Sequence, residues 1–293
     1  MKETLSNNLA SISVNYKGAE LCSFWDKTDG IEHMWQAFPD VWGRHAPILF
    51  PIVGKVEDNK LVVDGVSYEV GQHGFARDME FQMVEKTHYS MAFELRSNEE
   101  TKKLFPFPFR LKVKYTLQGK EVVVEYSVVN PTKAPLYFSI GAHPGFACPF
   151  SDGEEFSDYY LEFEQKETLD RLTLAPSGLR DGKVVKDYVK DTAVIPLTDQ
   201  LFDEDALIFE GYKSTSLAIK STKHSKTLTV DFKDFPLLGI WSKPKEKAPY
   251  VCIEPWYGVA DEEGKGGDFI SKKGIQKLGE YGEFTSRMSY KLS

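Results

Sequence analysis

The sequence lacks the features that mark membrane-spanning, secreted or zinc-binding proteins. No run of about 18 apolar residues occurs, so no transmembrane helix is predicted. The first 14 residues contain no apolar segment of the kind that a secretory signal needs. Only three cysteines are present, Cys22, Cys148 and Cys252, and they form no CxxC or zinc-binding spacing. These absences predict a cytoplasmic protein with reduced thiols.

Basic residues are also fewer than acidic residues. The 36 Lys and Arg residues face 44 Asp and Glu residues, which gives a net charge of −8 and a pI near 5.4. Because phosphate backbones attract basic surfaces, a nucleic-acid partner is not expected. Aromatic residues make up 13% of the chain, which excludes intrinsic disorder. No linker or internal repeat divides the chain, so residues 1–293 are predicted to form one domain, as a monomer or homodimer.

Alternation of apolar and polar residues at period two dominates the pattern, and helical periodicity is scarce. Leu111–Leu117 and Val122–Val128, joined by a Gln118-Gly119 turn, predict one hairpin. Asp64-Gly65 between two short apolar runs predicts another. Many short strands with turns between them predict an all-β sandwich or barrel with a few short helices. The other predicted strands are Leu9–Val14, Phe81–Glu85, Ser90–Leu95, Leu217–Ile219, Leu228–Phe232 and Arg287–Leu292, and the predicted helices are Asn98–Leu104 and Gly266–Lys272.

Four segments interrupt the strand pattern and gather reactive side chains beside Gly and Pro. They are Gly43–Pro47, Gly71–Asp78, Gly141–Phe146 and Ile253–Trp256. Loops between rigid strands commonly display catalytic groups, so these segments are predicted to be loops that form a site. Their candidate residues are Arg44, His73, Phe75, Arg77, His143, Glu254 and Trp256.

The other histidines are weaker candidates. His33, His88 and His224 lie in polar or strand-like contexts and are interpreted as structural. His45 follows Arg44 and is expected to help shape a pocket. Two histidines and a glutamate can bind zinc, but no HExxH or similarly tight spacing is present. No metal site is therefore predicted.

Five short motifs occur in order along the chain: Arg44 with Phe50–Gly54, His73–Phe75, His143-Pro144 with Phe146, Asp205–Phe209 and Glu254-Pro255. Together they resemble the motifs of the aldose 1-epimerase, or galactose mutarotase-like, family. The resemblance extends from about residue 10 to residue 290 and is greatest for the LacX-like branch. It implies a large antiparallel β-sandwich that binds a sugar in an open cleft on one face.

The resemblance also implies a reaction and assigns roles in it. The reaction is the interconversion of the α and β anomers of a hexose through ring opening, without a cofactor. Glu254 matches the general base that takes a proton from the anomeric hydroxyl, and His143 matches the general acid that protonates the ring oxygen. His73 matches a second histidine near the ring oxygen. Arg44 and Asp205 match residues that hydrogen-bond sugar hydroxyls.

The chemistry of anomer exchange independently requires a similar set of catalytic groups. An acid and a base held on opposite sides of the sugar suffice for anomer exchange. Trp256, Phe75, Trp42 and Phe146 are candidates for apolar walls against the sugar. Two positions depart from the family pattern: Gly145 stands where Tyr is common, and Trp256 stands where Gln is frequent. These departures leave the reaction class unchanged but leave the identity of the sugar open.

Three alternatives remain open. Arg77 lies in a stretch that also resembles the hexose-6-phosphate mutarotase branch, in which Arg44 and Arg77 would bind phosphate. A carbohydrate-binding or sensing protein without catalysis is the alternative from another class, although it would not need both Glu254 and His143. A glycoside hydrolase would pair Asp205 with Glu254, which leaves the histidines without a role.

Overall fold

Antiparallel strands form most of the chain in this computed structural model, which describes residues 1–293. Helical structure is limited to the helix α1 (Glu99–Leu104) and four 3-10 turns, at Glu57–Asn59, Ala76–Asp78, Phe156–Asp158 and Phe269–Ser271. None of the helices has the length and apolar character that crossing a bilayer requires. The strands, in chain order, are β1 (Lys2–Ser6), β2 (Ala10–Asn15), β3 (Leu21–Asp26), β4 (Ile31–Glu32), β5 (Ile48–Leu49), β6 (Lys60–Val63), β7 (Val66–Glu69), β8 (Gln82–Lys86), β9 (Ser90–Arg96), β10 (Arg110–Gln118), β11 (Glu121–Val129), β12 (Leu136–Phe138), β13 (Ile140–Ala142), β14 (Gly145–Ala147), β15 (Tyr159–Leu174), β16 (Arg180–Pro196), β17 (Leu207–Glu210), β18 (Ser216–Ser221), β19 (Thr227–Asp231), β20 (Leu237–Trp241), β21 (Tyr250–Tyr257), β22 (Gln276–Leu278) and β23 (Glu283–Leu292).

A 15-stranded sheet and a 4-stranded sheet provide the framework. The large sheet has the order β5-β13-β21-β20-β17-β15-β18-β19-β23-β11-β10-β9-β8, with β14 added beside β21 and β16 beside β15. The small sheet has the order β1-β2-β3-β4, and the pairs β6-β7 and β12-β22 stand apart. One cluster of 62 buried apolar residues includes Ile12 and Phe24 from the small sheet and Val113 and Val124 from the large one. The predicted antiparallel β-sandwich is confirmed.

Every strand that the local sequence signals predicted is present in the structure. In the predicted central hairpin, β10 pairs with β11 and Val113 lies opposite Tyr126. Asp64 and Gly65 both have positive φ, as a type I′ hairpin turn requires, and join β6 to β7. The six other predicted strands overlap β2, β8, β9, β18, β19 and β23.

The two predicted helices have different outcomes. The first, Asn98–Leu104, is confirmed as α1. The Asn98 side chain caps this helix by accepting hydrogen bonds from the amides of Glu100 and Thr101. The second, Gly266–Lys272, is wrong apart from the 3-10 turn Phe269–Ser271. Glycines at its start disfavour a helix, and no apolar face of helical period supports one.

The two longest strands, β15 and β16, have 16 and 17 residues and were not predicted. Their pairing contains register shifts between Glu162 and Glu167, and again further along β15. The buried side chains of β15 stay at odd-numbered positions from Tyr159 to Arg171, but Glu167 and Arg171 among them are charged. Only Val189 and Ile195 of β16 are buried, so neither strand shows apolar residues alternating with polar ones. A pattern search therefore finds no single strand in this region.

Two predicted loops consist largely of strand. Ile253–Trp256 lies within β21, and Gly141–Phe146 belongs to β13 and β14 except at His143 and Pro144. Proline normally interrupts a strand because it cannot donate a ladder hydrogen bond. Here the amide of Ile253 donates toward the carbonyl of Pro144, so the nitrogen of Pro255, two residues on, faces the same side. On that side β13 and β14 leave a gap, and no ladder donor is needed there.

Candidate active site

A cavity of about 310 Å³ contains six of the eight residues that the sequence analysis nominated for a site. Its volume lies within the range of about 300–1,000 Å³ that is common for small-molecule sites. The strands β17, β20 and β21 contribute to its wall, together with the connection between β7 and β8. The six nominated residues that line it are His73, Arg77, His143, Asp205, Glu254 and Trp256.

Glu254 and His143 are in direct contact in this cavity. The His143 Nε2 atom lies 3.2 Å from the Glu254 Oε2 atom, and both side chains are buried. The strand pairing explains the contact, because β13 places Gly141 opposite Trp256 and β14 places Gly145 opposite Cys252. His143 lies between these two short strands and therefore faces the stretch of β21 that carries Glu254.

This arrangement differs from the expected one in a specific way. An acid and a base were expected on opposite sides of the sugar, whereas the side chains of Glu254 and His143 stand side by side. The anomeric hydroxyl and the ring oxygen are bonded to the same carbon atom, so adjacent groups can reach both from one side. The contact is therefore compatible with the same chemistry.

Glycines on three strands make room for the indoles beside the pair. A Cβ atom on Gly141 would lie 2.6 Å from Trp256, and one on Gly239 would lie 2.4 Å from it. A Cβ atom on Gly145 would lie 2.7 Å from the Trp42 ring. Trp42 thus occupies the space that a larger residue at position 145 would need, which explains why Gly145 departs from the family pattern.

His73 is held by an unusual backbone conformation. His73 and Gly74 have φ values of +66° and +74°, and a Cβ atom on Gly74 would lie 2.2 Å from the Phe50 carbonyl oxygen. The amide of Gly54 donates to the His73 Nδ1 atom at 3.1 Å, so Nδ1 is an acceptor and the ring proton is on Nε2. The His73 ring is perpendicular to the His143 ring, with centroids 5.5 Å apart.

The electrostatics of the cavity favour neutral forms of these groups. Burial raises the pKa of Glu254 well above its ordinary value, and the negative charge of Asp205 raises it further. Burial lowers the pKa of His143 to about 3, and the positive charge of Arg77 contributes to this lowering. The pKa of His73 is also lowered by burial and by the proximity of His143.

These shifts leave one exchangeable proton on the Glu254–His143 pair. Burial favours the protonated carboxyl beside the neutral imidazole, so transfer of that proton from Oε2 to Nε2, 3.2 Å away, costs free energy. The product is a carboxylate beside an imidazolium, which is a base beside an acid. The pair can therefore carry out both halves of a proton exchange without any other group.

Two nominated residues, Arg44 and Phe75, lie outside the cavity. Phe75 is a correction to the predicted apolar wall: it is buried in the core, where its ring centroid is 6.5 Å from that of Phe50 and 6.2 Å from that of Phe109. Arg44 lines a neighbouring depression and directs its Nη2 atom toward the Asp78 carboxylate at 3.1 Å. The distinction depends on tertiary packing, which short motifs do not contain.

Of the other aromatic and histidine candidates, one lines the cavity and the rest lie outside its lining. Trp42 lines the cavity, with its ring centroid 4.9 Å from that of His143, whereas Phe146 is fully buried in the core. His33 and His224 pack against Phe150, away from the cavity. The exposed His88 and the half-buried His45, whose Nδ1 atom contacts the Trp35 carbonyl, also lie outside the cavity lining.

Trp241 is a residue of the cavity that the sequence analysis missed. It ends β20, and its ring centroid is 5.5 Å from that of His143 at an angle of 81°. With Trp42 and Trp256 it gives the pocket three indoles. Its sequence neighbourhood resembles any buried strand, so nothing local distinguishes it.

A profile of the aldose 1-epimerase family matches residues 1–274 of the chain. The chain belongs to that family. Protein LacX (chromosomal) of Lactococcus lactis subsp. lactis is 34% identical over 296 residues, which cover 99% of this chain and 98% of that protein. The resemblance inferred from the motifs, including its LacX-like character, is confirmed.

Solved structures of related proteins have the same fold. A galactose mutarotase related enzyme from Lactobacillus acidophilus is 36% identical with a TM-score of 0.94, covering 100% of this chain and 97% of that one. A galactose mutarotase-like protein from Lactobacillus casei is 32% identical with a TM-score of 0.94, covering 100% of both chains. As a member of the aldose 1-epimerase family, the protein is a mutarotase-like carbohydrate epimerase, an isomerase whose substrate is a small-molecule sugar.

Proposed function

We propose that the protein interconverts the α and β anomers of a free hexose by acid–base catalysis, without a cofactor. The contact between Glu254 and His143 inside a sugar-sized cavity is the observation that supports this proposal most directly. Both groups are buried, and the pKa shifts keep a transferable proton between them. Such a pair would have no evident purpose in a protein that only binds sugar.

In the proposed reaction, the Glu254 carboxylate takes the proton of the anomeric hydroxyl while the His143 imidazolium protonates the ring oxygen. The ring then opens to an aldehyde, the bond beside the carbonyl rotates, and the ring closes with the two proton transfers reversed. The His73 Nε2–H group donates a hydrogen bond near the ring oxygen. The Asp205 carboxylate accepts hydrogen bonds from sugar hydroxyls, and Trp256 provides an apolar wall.

Polarimetry on freshly dissolved α-glucose and α-galactose tests the activity. We expect the optical rotation to reach equilibrium with a first-order rate constant that increases in proportion to protein concentration. The spontaneous rate in buffer and in heat-inactivated protein serves as the baseline. If the sugar binds, as shown by calorimetry, while the rate constant stays at the baseline for every aldose tested, the sensing alternative replaces the catalytic one.

A hexose 6-phosphate is the second candidate substrate, because Arg77 lines the cavity and also the adjoining depression. Its Nε atom is buried without a hydrogen-bond partner. Arg44 and Lys17 line the same depression, so three cationic side chains border the place where a phosphate would lie. The Asp78 carboxylate lies 3.1 Å from Arg44 and 3.8 Å from both Lys17 and Arg77, so it partly neutralises all three cations, which weakens this case relative to the free sugar.

The variant Arg77→Ala separates the two substrates. If a phosphate binds there, we expect kcat/KM for glucose 6-phosphate to fall about 10- to 100-fold more than kcat/KM for glucose, since a charge-assisted hydrogen bond contributes about 1.5–3 kcal/mol. Arg96→Ala is the control, because Arg96 is exposed and pairs only with Glu94. Equal losses on both sugars would assign Arg77 to the free sugar or to structure.

We also propose that residues 1–293 work as one domain, as a monomer or homodimer in the cytoplasm. The cluster of 62 buried residues runs from Leu5 to Leu292 and supports the single domain. The net charge of −8 supports the absence of a nucleic-acid partner.

A further inference from the structure

Cys252 lies beside the catalytic pair, although no motif pointed to it. Cys252 and Glu254 are two positions apart on β21, so their side chains project from the same face of the strand. The Cys252 Sγ atom, the His143 imidazole and a Glu254 carboxylate oxygen lie within 4.8 Å of one another. All three residues are buried, and the thiol is not in a disulfide.

This cluster has the chemistry and the spacing of a zinc site. Thiolate, imidazole and carboxylate are the three protein ligands of zinc, and three of them with a fourth position open is a common arrangement. Ligand atoms around a tetrahedral zinc ion are about 3.3–3.8 Å apart. The pair is already at 3.2 Å and all three groups are within 4.8 Å, so small side-chain movements close the remaining distance.

The surroundings also suit a bound cation. Glu254 and His143 line the cavity, which provides a route from solvent and space for a water molecule as the fourth ligand. Trp42 and Tyr250, whose rings are stacked 5.3 Å apart, belong to the apolar cluster that contains Cys252. The His143 Nδ1 atom is buried with no hydrogen-bond partner, so no hydrogen bond at that atom holds the ring in place.

We propose that Cys252, His143 and Glu254 form a binding site for a thiophilic divalent cation such as Zn²⁺ or Cd²⁺, and that its occupation inhibits the enzyme. The cation takes the Nε2 lone pair and the carboxylate, and binding releases the thiol proton and the proton that the pair shares. An occupied pair can neither accept nor donate a proton to the sugar. The inhibition rests on the proposed mutarotase activity, whereas the binding does not.

Titration with Co²⁺ tests the binding directly, because a cobalt–thiolate bond produces a charge-transfer absorption band that needs no enzymatic activity. We expect one cobalt ion per chain with this band in the wild type, and displacement of the cobalt by Zn²⁺. In Cys252→Ser, or Cys252→Ala if the serine variant folds poorly, the band is expected to disappear. The matched control is Cys22→Ser/Cys148→Ser, which keeps Cys252 as the only thiol and should keep the band.

Affinity and inhibition provide the second measurement. Removal of a zinc ligand, in Cys252→Ser or in His143→Asn, should weaken Zn²⁺ binding. The affinity should fall by at least 10- to 100-fold, the loss that is typical when a residue that only supports a metal ligand is replaced. The metal-free Cys252→Ser enzyme should anomerise sugar at the wild-type rate and resist Zn²⁺, whereas Mg²⁺ and Ca²⁺ should not inhibit either protein.

Each unfavourable result has a distinct meaning. A cobalt band that persists in Cys252→Ser, or is absent from the wild type, overturns the metal site. A wild-type cobalt band with no anomerisation of any sugar leaves the metal site standing and overturns the proposed function instead. Zn²⁺ inhibition that is equal in wild type and Cys252→Ser overturns the inhibitory role of this cluster.

Discussion

Glu254→Gln is expected to reduce the catalysed rate of anomer interconversion by about 10²–10⁴-fold, the contribution of a positioned proton-transfer group. The amide has the shape of the carboxyl group but cannot take up a proton at neutral pH. Sugar binding should change little, because cavity shape and the other hydrogen-bonding groups are unchanged. The measurement is kcat by polarimetry, with the dissociation constant from calorimetry.

Glu167→Gln is a matched control for this substitution. Glu167 is another buried glutamate, but it accepts hydrogen bonds from the amide and hydroxyl of Ser214, away from the cavity. Its replacement can lower the unfolding midpoint but should leave kcat per folded molecule unchanged. Wild-type kcat in Glu254→Gln would remove Glu254 from the base role, and a loss of binding equal to the loss of rate would make it a binding residue.

His143→Asn is expected to cause a loss of similar size, because the carboxylate then has no partner that passes a proton to the ring oxygen. Under the proposed mechanism Glu254 and His143 act on one shared proton, so the double variant Glu254→Gln/His143→Asn should lose little more than either single variant. Independent groups would instead show multiplied losses. Rates of the three variants, measured on the same sugar, distinguish these outcomes.

The control for His143→Asn is His33→Gln. His33 is also buried, and burial lowers the pKa of its side chain to about 4, but it packs against Phe24 and Phe150, away from the cavity. Its replacement should leave kcat unchanged. If His33→Gln and His143→Asn reduced the rate equally, loss of a buried histidine would act through folding and not through proton transfer.

Strand prediction succeeded where a strand has one buried face and a regular register. Strand β10 alternates apolar and polar residues from Leu111 to Leu117, so its pattern is visible without knowledge of the fold. β15 and β16 were missed because buried positions on β15 carry the charged residues Glu167 and Arg171 and because most of β16 is not buried. β21 was partly missed because Pro255 is tolerated only next to the gap between β13 and β14, and a gap is a property of the assembled sheet.

The candidate site likewise contains residues that the sequence predicted and residues that it missed. Motifs nominated Glu254, His143 and His73, and all three line the cavity. Phe75 was nominated with them because it adjoins His73 in the chain, yet its side chain belongs to the core. Trp241 and Cys252 were not nominated, because each is surrounded in the sequence by ordinary strand residues.

The amino-acid sequence by itself determined the all-β class, the hairpins and the family, because alternation, turn residues and short motifs are local properties of a chain. The tertiary structure decided that Glu254 and His143 stand side by side, that Phe75 faces the core and that Cys252 joins the pair. Those facts depend on which strands become neighbours of β21. Strand pairing between distant segments is set by the packing of the whole sheet, and no single segment encodes it.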